Sequence, residues 1–251
     1  LVPPGVDSLS PENVILFGAG PLAGTLAPGS ARLTVTAKSP LTDAWGDATM
    51  GGDFAAEMKY AGYDQICVSG KSEGPVYLWI DDGKVEIRDA SHIWGRLIRE
   101  TSRTIREDLG DPDIKVICIG PAGENRVRNA SIINPLKKAA GRTGLGAVMG
   151  SKHLKAIAVR GSMDVRIANP EEFLQACWEM RQHSINVNPI YQTFHTYGSP
   201  GLVDIFGPRG SLGVRNFQKH DGAKWQDISA AKYKAEFVNS MRACPGCQVA
   251  C

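Results

Sequence analysis

Hydrophobic positions in the first two thirds of the chain follow the short, alternating pattern of β-strands. Residues 13–17 (NVILF) form an apolar run before a GAGP turn, and residues 32–37 (RLTVTA) alternate apolar and polar side chains with β-branching. PVYLWI and VEIRDA flank a short polar turn, which predicts a β-hairpin. Further strands are predicted at KVICIG, ASIIN and LKAIAVRG, whereas ATMGGD is predicted to be a glycine-rich turn.

Two segments of this region have helical features instead. Residues 54–60 follow Asp53, a favourable N-cap residue, and end close to Gly62. A longer helix is predicted across residues 96–109 from its apolar stripe.

The pattern changes near residue 164. Asn169, Pro170 and two acidic residues form a strong helix-start signal, and helices and loops without a clear strand are predicted from there on, including a helix at residues 230–241. We therefore predict an α+β fold, with a β-rich amino-terminal domain over residues 1–163. Residues 164–251 are predicted to be the beginning of an α-helical domain.

Composition excludes some classes of function. The 28 basic and 26 acidic residues nearly balance, and no run of lysine and arginine is visible, which argues against nucleic acid as a partner. No apolar run is long enough to span a bilayer and no signal peptide is recognisable, so we expect a cytoplasmic protein without a membrane partner. Because the chain does not begin with Met and ends within a cysteine motif, we expect a fragment of a longer protein.

Three of the six cysteines crowd into the last eight residues, as Cys244, Cys247 and Cys251 in a CxxCxxxC pattern. Thiolates spaced this closely can face one point, and sulfur ligands suit an iron–sulfur cluster or zinc. A structural zinc site usually has a second knuckle, and a thioredoxin-like CxxC usually follows a strand at a helix start. The spacing favours a [4Fe–4S] cluster whose fourth ligand lies outside this stretch, while both alternatives stay open.

Several short sequence motifs occur in a fixed order along the chain, and this order identifies a family more specifically than any single motif does. Together they resemble the aldehyde:ferredoxin oxidoreductase family, from about residue 8 to the end of the chain and most densely over residues 21–160. The strings are LSPEN, GPLAGT, AKSPLT, MGG followed by KYAGYD, VEIRDASHIWG, IGPAGEN, AAGR followed by GAVMGSK, and the terminal CxxCxxxC.

The resemblance implies a set of cofactors and an activity. Family members hold tungsten, sometimes molybdenum, between the dithiolenes of two pterin cofactors, with a [4Fe–4S] cluster nearby and a magnesium ion bridging the pterin phosphates. They oxidise aldehydes to carboxylic acids and pass electrons to ferredoxin. The implied partners are ferredoxin and a small aldehyde, and a homodimer is left open. The family's acid–base residues lie downstream of residue 251, so no catalytic residue is named and the chain alone is expected to be inactive.

The resemblance also implies that the amino-terminal domain is the base on which the bis-pterin lies. Arg32 matches a cofactor-contacting arginine, and its planar fork suits phosphate. Thr49 and Gly51 match a loop that meets the pterin and contributes a backbone carbonyl to magnesium. The family often has Asn where this chain has Thr49, so a side-chain role at this position is in doubt.

A second phosphate-binding loop matches residues 138–142. Lys138 stands where the family can carry Arg, which keeps the charge but loses the bidentate geometry. Ala139 would offer its carbonyl to magnesium, and Gly141 and Arg142 would contact the pterin. Each of these glycines and cations could also be an ordinary turn or surface residue.

Two rival functions remain at this stage. One is a related tungsten enzyme, such as an aromatic acyl-CoA reductase subunit or a sugar-aldehyde oxidoreductase. The other is a non-catalytic electron-transfer or zinc-binding module, which metal analysis would distinguish because it would contain neither tungsten nor pterin.

Overall fold

The computed structural model describes residues 2–135, 138–219 and 224–249. The chain divides into two compact units. Unit 1 comprises Leu1–Thr25 and Ser30–Arg166, and unit 2 comprises Leu26–Gly29 and Ile167–Cys251. Strands dominate unit 1 and helices dominate unit 2, which confirms the predicted α+β fold. The predicted boundary between residues 163 and 164 stays a prediction, because compactness does not test independent folding.

The elements of unit 1 alternate short strands with four helices in its described residues. In chain order they are β1 (Ile15–Ala19), β2 (Leu33–Lys38), β3 (Trp45–Met50), α1 (Phe54–Tyr60), β4 (Gln65–Val68), β5 (Val76–Asp81), β6 (Lys84–Asp89), α2 (Ile98–Leu109), β7 (Lys115–Cys118), α3 (Pro121–Glu124), β8 (Ile132–Asn134), β9 (Lys138–Ala140), α4 (Leu145–Ser151) and β10 (Leu154–Arg160).

A four-stranded sheet in the order β3-β2-β1-β4 has one buried and one open face. All its neighbouring strands are antiparallel, so side chains alternate between the faces with a period of two. Phe17 and Val35 lie side by side in the register and are both fully buried. Thr34 and Thr49 are paired on the opposite, accessible face. The alternation leaves that second face available for contacts other than core packing.

The six-stranded sheet has the order β6-β5-β10-β7-β8-β9 and is built around β10. β10 pairs in parallel with β5 and antiparallel with β7, and only its last residue is not buried. Ile157 and Val159 belong to the core shared with the four-stranded sheet, while Ala156 and Ala158 face the core beneath α2. A strand covered on both faces is expected to be apolar throughout, and each buried Ile or Val contributes about 1.5–3 kcal/mol.

Three strands were not predicted from the sequence. The segment ATMGGD was assigned to a turn, but Ala48, Thr49 and Met50 belong to β3, whose alternate residues are buried and exposed. β3 and β9 are built largely of small or polar residues, so their alternation in hydrophobicity is weak. β4 is only four residues long. Residues 138–142 were likewise assigned to a loop, whereas the first three of them form β9.

Unit 2 consists of helices and loops in its described residues, as predicted. The Asn188 side chain caps one of these helices by accepting hydrogen bonds from the amides of Ile190 and Tyr191, and Ser229 caps another. The last helix is shorter than the predicted 230–241. None of the described helices is long and apolar enough to cross a membrane. The elements are α5 (Pro170–Val187), α6 (Pro189–Tyr197), α7 (Gly201–Phe206), a 3-10 helix (Trp225–Ile228) and α8 (Ala230–Phe237).

A buried ion pair joins β10 to the end of α3. The ammonium group of Lys155 is fully buried and pairs with the carboxylate of Glu124, whose side chain is only 5% exposed. Lys155 also donates to the carbonyl of Arg96 at 2.9 Å, and Glu124 accepts from the amide of Gly95 at 2.9 Å. These bonds offset the cost of removing both charges from water. Glu124 therefore orders the loop before α2.

Replacing Lys155 with Met should be strongly destabilising, because it leaves the Glu124 carboxylate buried without its counter-charge. We expect the free energy of unfolding to fall by about 3–5 kcal/mol, measured by urea denaturation. The double variant Lys155→Met/Glu124→Gln should recover part of this loss. Lys84→Met, at an exposed position, is the matched control and should change stability little. A loss in Lys155→Met no larger than in the control contradicts this account.

Candidate functional site

The predicted cofactor contacts form two groups: Arg32, Thr49 and Gly51 are named the first bend, and residues 138–142 the second bend. The first bend lies at one corner of the open face of the four-stranded sheet. Arg32 immediately precedes β2, and Thr49 lies in β3 opposite Thr34. The Arg32 guanidinium donates to the Thr49 hydroxyl at 3.2 Å, and both residues are exposed. Thr49 thus has a side-chain role in this chain, since it orients the guanidinium. Gly51, directly after β3, is partly buried.

The same open face carries two exposed side chains that were not anticipated. Asp47 and Trp45 precede Thr49 on the accessible side of β3, and Trp45 is 67% exposed. A large aromatic side chain left in contact with water offers a flat apolar surface to a ligand or a neighbouring protein segment. In the sequence, this face is indicated by large or polar residues at positions 45, 47 and 49 that alternate with small or apolar ones. The predicted turn over ATMGGD included only the last of the three, Thr49.

The second predicted bend is carried by the β8–β9 hairpin. Lys138 is partly buried and Ala139 is exposed in β9, and the exposed residues Gly141 and Arg142 follow the strand. Among the described residues, the Arg142 guanidinium has no hydrogen-bond or ion-pair partner. Its donors are therefore available for an anionic group.

Hydrogen bonds between distant parts of the sequence join the β2–β3 hairpin to the segment around β9. Ser39, at the end of β2, donates from its hydroxyl to the carbonyl of Thr143 at 2.7 Å and accepts from the amides of Leu41 and Thr42. Ser39 is fully buried, so this bond is shielded from water. The loop after β9 is thereby fixed to the turn between β2 and β3.

A second connection involves Asn134 and Asp53. The Asn134 side-chain amide, 1% exposed, donates to the Asp53 carboxylate at 3.0 Å. Asp53 stands at the predicted N-cap position of α1, but its carboxylate binds Asn134 and makes no side-chain capping bond. Gly52 has φ +108° and passes so close that a β-carbon there would lie 2.7 Å from Asn134 Nδ2. The close approach explains a glycine at this position.

The edges of the two sheets meet between the bends. β3 is an edge strand of the four-stranded sheet and β9 an edge strand of the six-stranded sheet, and the two strands are neighbours. Edge strands direct some backbone carbonyls and amides away from their own sheet. Thr49 and Ala139 lie on these edges, so the arrangement is compatible with main-chain oxygens of both bends serving one cation.

The glycine-rich pattern after Arg142 is explained by packing. Gly144 has φ +72°, and a β-carbon there would lie 1.8 Å from the carbonyl oxygen of Arg128. Gly150 on α4 lies equally close to the carbonyl oxygen of Gly123. These residues let α4 pack against the backbone of its neighbours, which gives the pattern a role without a bound nucleotide.

The cysteine motif belongs to unit 2. The amide of Cys247 donates to the carbonyl of Cys244 at 3.0 Å, and Gly246 has φ +69°, which makes a tight turn. The amide of Val249 donates to Cys247 Sγ at 3.3 Å. Cys251, the third predicted ligand, lies outside the described residues. No group of three or more metal-binding side chains occurs within residues 2–135, 138–219 and 224–249.

His195 supports this turn from α6. Its Nδ1 lies 2.8 Å from the carbonyl oxygen of Gln248. With the proton on Nδ1, the imidazole donates to the segment between Cys247 and Cys251. The spacing of His195 in the sequence is not ligand-like and gives no indication of this contact.

Comparison with known proteins identifies the family. Residues 1–161 match the family described as "Aldehyde ferredoxin oxidoreductase, N-terminal domain". The chain belongs to the aldehyde ferredoxin oxidoreductase family. Residues 176–251 match the companion description, "Aldehyde ferredoxin oxidoreductase, domains 2 & 3". The resemblance predicted from the ordered strings is confirmed.

Relatives in this family match nearly the whole chain. The tungsten-containing aldehyde ferredoxin oxidoreductases of Pyrococcus furiosus and Thermococcus kodakarensis are 45% and 42% identical to it, over 99% of the chain and 41% of each relative. The WOR-like subunit of an aliphatic sulfonate oxidoreductase from Pyrococcus furiosus is 34% identical over 98% of the chain and 41% of that protein. The chain thus spans 41% of the length of these relatives.

A solved structure gives the same fold. It is the active-site complex BamBC of benzoyl coenzyme A reductase with 1,5-dienoyl-CoA. The match has a TM-score of 0.79 and 38% identity, and it covers 98% of this chain and 39% of that one. The α+β architecture is therefore shared within the family between proteins named for different reactions.

Replacing Gly52 with Ala should loosen the connection between the bends of this family member. The new methyl group would push Asn134 away from Asp53 and impose a strained φ, so we expect a loss of about 1–3 kcal/mol in the free energy of unfolding. Gly74→Ala is the control, since no atom lies within 4 Å of a β-carbon there. Equal urea unfolding midpoints for the two variants would show that the close approach is unimportant.

The cysteines outside the motif should differ sharply in reactivity. Burial raises the pKa of the Cys118 thiol to about 12, whereas Cys67 is exposed. Because the thiolate is the reactive form, iodoacetamide at about pH 8 should alkylate Cys67 readily and leave Cys118 unmodified in the folded chain. Peptide mass spectrometry measures both rates. In denaturant, where the pKa of a thiol is about 8.5, the rates should converge; rapid labelling of Cys118 in the folded chain is the contrary result.

Proposed function

We propose that this chain forms the cofactor-binding part of an oxidoreductase that converts aldehydes to carboxylic acids. The enzyme would use a tungsten or molybdenum bis-pterin and a [4Fe–4S] cluster, with ferredoxin as the electron acceptor. The observation that carries the proposal is that the edge strands β3 and β9 are neighbours, and that Arg32 and Thr49 belong to the first bend while Lys138 and Arg142 belong to the second. The names of the relatives, tungsten-containing aldehyde ferredoxin oxidoreductases, support the choice of metal and reaction.

The residues present fit a ligand with two phosphate groups. Arg32 is fixed by its bond to Thr49 but has further donors, and Arg142 is exposed without a partner among the described side chains. A guanidinium fork binds phosphate oxygens in a bidentate manner. The glycine at 141 lets a ligand approach the backbone closely. The two bends would therefore hold and orient one phosphate each.

The proposed magnesium ion would be bound by backbone oxygens from the two sheet edges. Magnesium prefers oxygen ligands and keeps several waters, so a few main-chain carbonyls and phosphate oxygens suffice. Thr49 and Ala139 would offer these carbonyls from β3 and β9. Binding through the backbone does not depend on the side chain, so Thr49 in place of Asn is compatible with this role.

The cysteine turn fits a sulfur-bound cluster. Cys244 and Cys247 are held by a tight turn, and Cys251 would complete the three ligands that this chain supplies. Amide donors such as that of Val249 would stabilise charge on cluster sulfurs and tune the potential. When bound, the metal–pterin group and the cluster supply the two-electron oxidation and the one-electron transfers. This chain's own residues bind and orient these groups.

Metal and pterin content test the proposal without depending on turnover. The full chain, produced in cells that make the pterin cofactor and supplied with tungstate, should contain tungsten, fluorescent pterin and iron. Arg142→Ala should lower tungsten and pterin together while leaving iron unchanged, because only the phosphate contact is removed. Cys244→Ser should lower iron instead.

The control variant is Arg166→Ala, an exposed arginine that makes no hydrogen bond or ion pair with the described residues. It should retain all three components. Stoichiometric zinc without tungsten or pterin would overturn the proposal and support a zinc-binding module. Equal tungsten in Arg142→Ala and Arg166→Ala would remove the second bend from the cofactor site.

A second candidate is an aromatic acyl-CoA reductase subunit, favoured by the structural match to benzoyl coenzyme A reductase. The same two bends would bind the cofactor in both enzymes, so cofactor content does not distinguish the two reactions. Two assays of the cofactor-loaded protein separate them: reduction of a dye with an aldehyde as donor, and reduction of an aromatic acyl-CoA.

A further inference from the structure

Three arginines line one side of helix α2. Arg99, Arg103 and Arg106 are spaced by four and three residues, which places them on the same helix face. This face is cationic, whereas the other side of the helix packs Ile105 into the hydrophobic core. The spacing hides the cluster in the sequence, because no two of the three arginines are adjacent.

The arginine face forms one wall of a cavity of about 480 Å³. The remaining lining comes from Ser102 and Glu107 on the same helix, from the turn Gly110-Asp111-Pro112, and from Pro135. Proline rings and the aliphatic stems of arginine make much of this surface apolar. The volume is within the range of small-molecule sites. None of the residues predicted to bind the pterin lines this cavity.

Positive charge exceeds available negative charge in the cavity. Asp111 is bound by Arg160 at 2.8 Å, outside the cavity lining, so its charge is largely offset. Glu107 lies 3.7 Å from Arg103 at the exposed surface, which is a weak pair. Arg99 makes no side-chain hydrogen bond or ion pair with any part of the chain that the structure describes. At least one guanidinium is thus available to an anion.

Arg106 is held in place for such a role. Its Nε donates to the carbonyl of Ile114 at 2.8 Å, which fixes the guanidinium while leaving its terminal nitrogens. A guanidinium already ordered by the protein loses less entropy when it binds an oxyanion.

Ser102 adds an independent indication of a ligand. It is 1% exposed, lies in the cavity wall between Arg99 and Arg106, and its hydroxyl has no hydrogen-bond partner among the described residues. A buried hydroxyl without a partner is costly and uncommon in folded proteins. A polar group entering the cavity, or a small local shift on binding, would satisfy it.

We propose that this cavity is a binding site for a small organic oxyanion, a carboxylate or phosphate ester attached to an apolar body. The arginines supply paired donors for the oxyanion, and the prolines and arginine stems cover the apolar part. The site is independent of the proposed redox function, since it uses neither the pterin bends nor the cysteine turn.

Calorimetric titration of the full chain tests the site with three probes: phenyl phosphate, benzoate and inorganic phosphate. At least one organic probe should bind more tightly than inorganic phosphate. Arg99→Gln and Arg103→Gln should each weaken that binding about tenfold, as expected for the loss of a charge-assisted hydrogen bond. Both side chains are exposed, so thermal unfolding should be unchanged. Arg166→Gln is the charge-matched control and should bind like the unmodified chain.

Each outcome decides the matter. Tighter binding of phenyl phosphate than of benzoate assigns a phosphate ester, and the reverse order assigns a carboxylate. Inorganic phosphate binding as tightly as either organic probe overturns the proposal, because the apolar wall then contributes nothing. The absence of binding at about 1 mM probe, or binding that Arg99→Gln and Arg103→Gln leave unchanged, overturns it as well.

Discussion

The contact between two sheet edges, β3 and β9, is the constraint on which the candidate site depends. Ser39 and Thr143 are 104 residues apart in sequence, and Asn134 and Asp53 are 81 apart, yet each pair is joined by one buried or partly buried hydrogen bond. An unpaired buried polar group costs about 1–3 kcal/mol. Displacement of β9 relative to β3 would therefore break two hydrogen bonds, one near each end of β3.

The sheet structure allows the binding residues to be fixed in position without reducing the stability of the core. Because side chains alternate along a strand, Phe17, Val35 and Met50 can fill the core while Thr34 and Thr49 on the other face remain free for binding. Substitutions on the open face leave the core untouched. This separation is consistent with one fold occurring in relatives named for aldehyde, sulfonate and acyl-CoA chemistry.

Local sequence patterns predicted those strands in which the buried positions are occupied by large apolar residues. β10 was recognisable because most of its side chains are apolar, and the β5–β6 hairpin because two apolar-rich segments flank a short polar turn. β3 was missed because its buried positions are Gly46, Ala48 and Met50. Asp53 is at the predicted N-cap position, but its side-chain partner Asn134 is remote in sequence and was not predicted. The family strings supplied the candidate residues, but only the folded chain shows that Ser39 and Asn134 hold them together. No local rule encodes such a contact.

The role of each Lys or Arg side chain in this molecule depends on its burial more than on the total number of charges. Lys155 is enclosed with Glu124 and acts as part of the core, and the carboxylates of Glu57 and Asp111 bind Arg160 and raise its pKa. Arg142 and Arg99 lie at the surface with donors unused by the described residues. The formal net charge of +2 therefore gives no information on where individual cations lie or whether they are paired. An even charge balance argues against a general affinity for polyanions, but it places no limit on local recognition of a small anion by two or three oriented guanidinium groups.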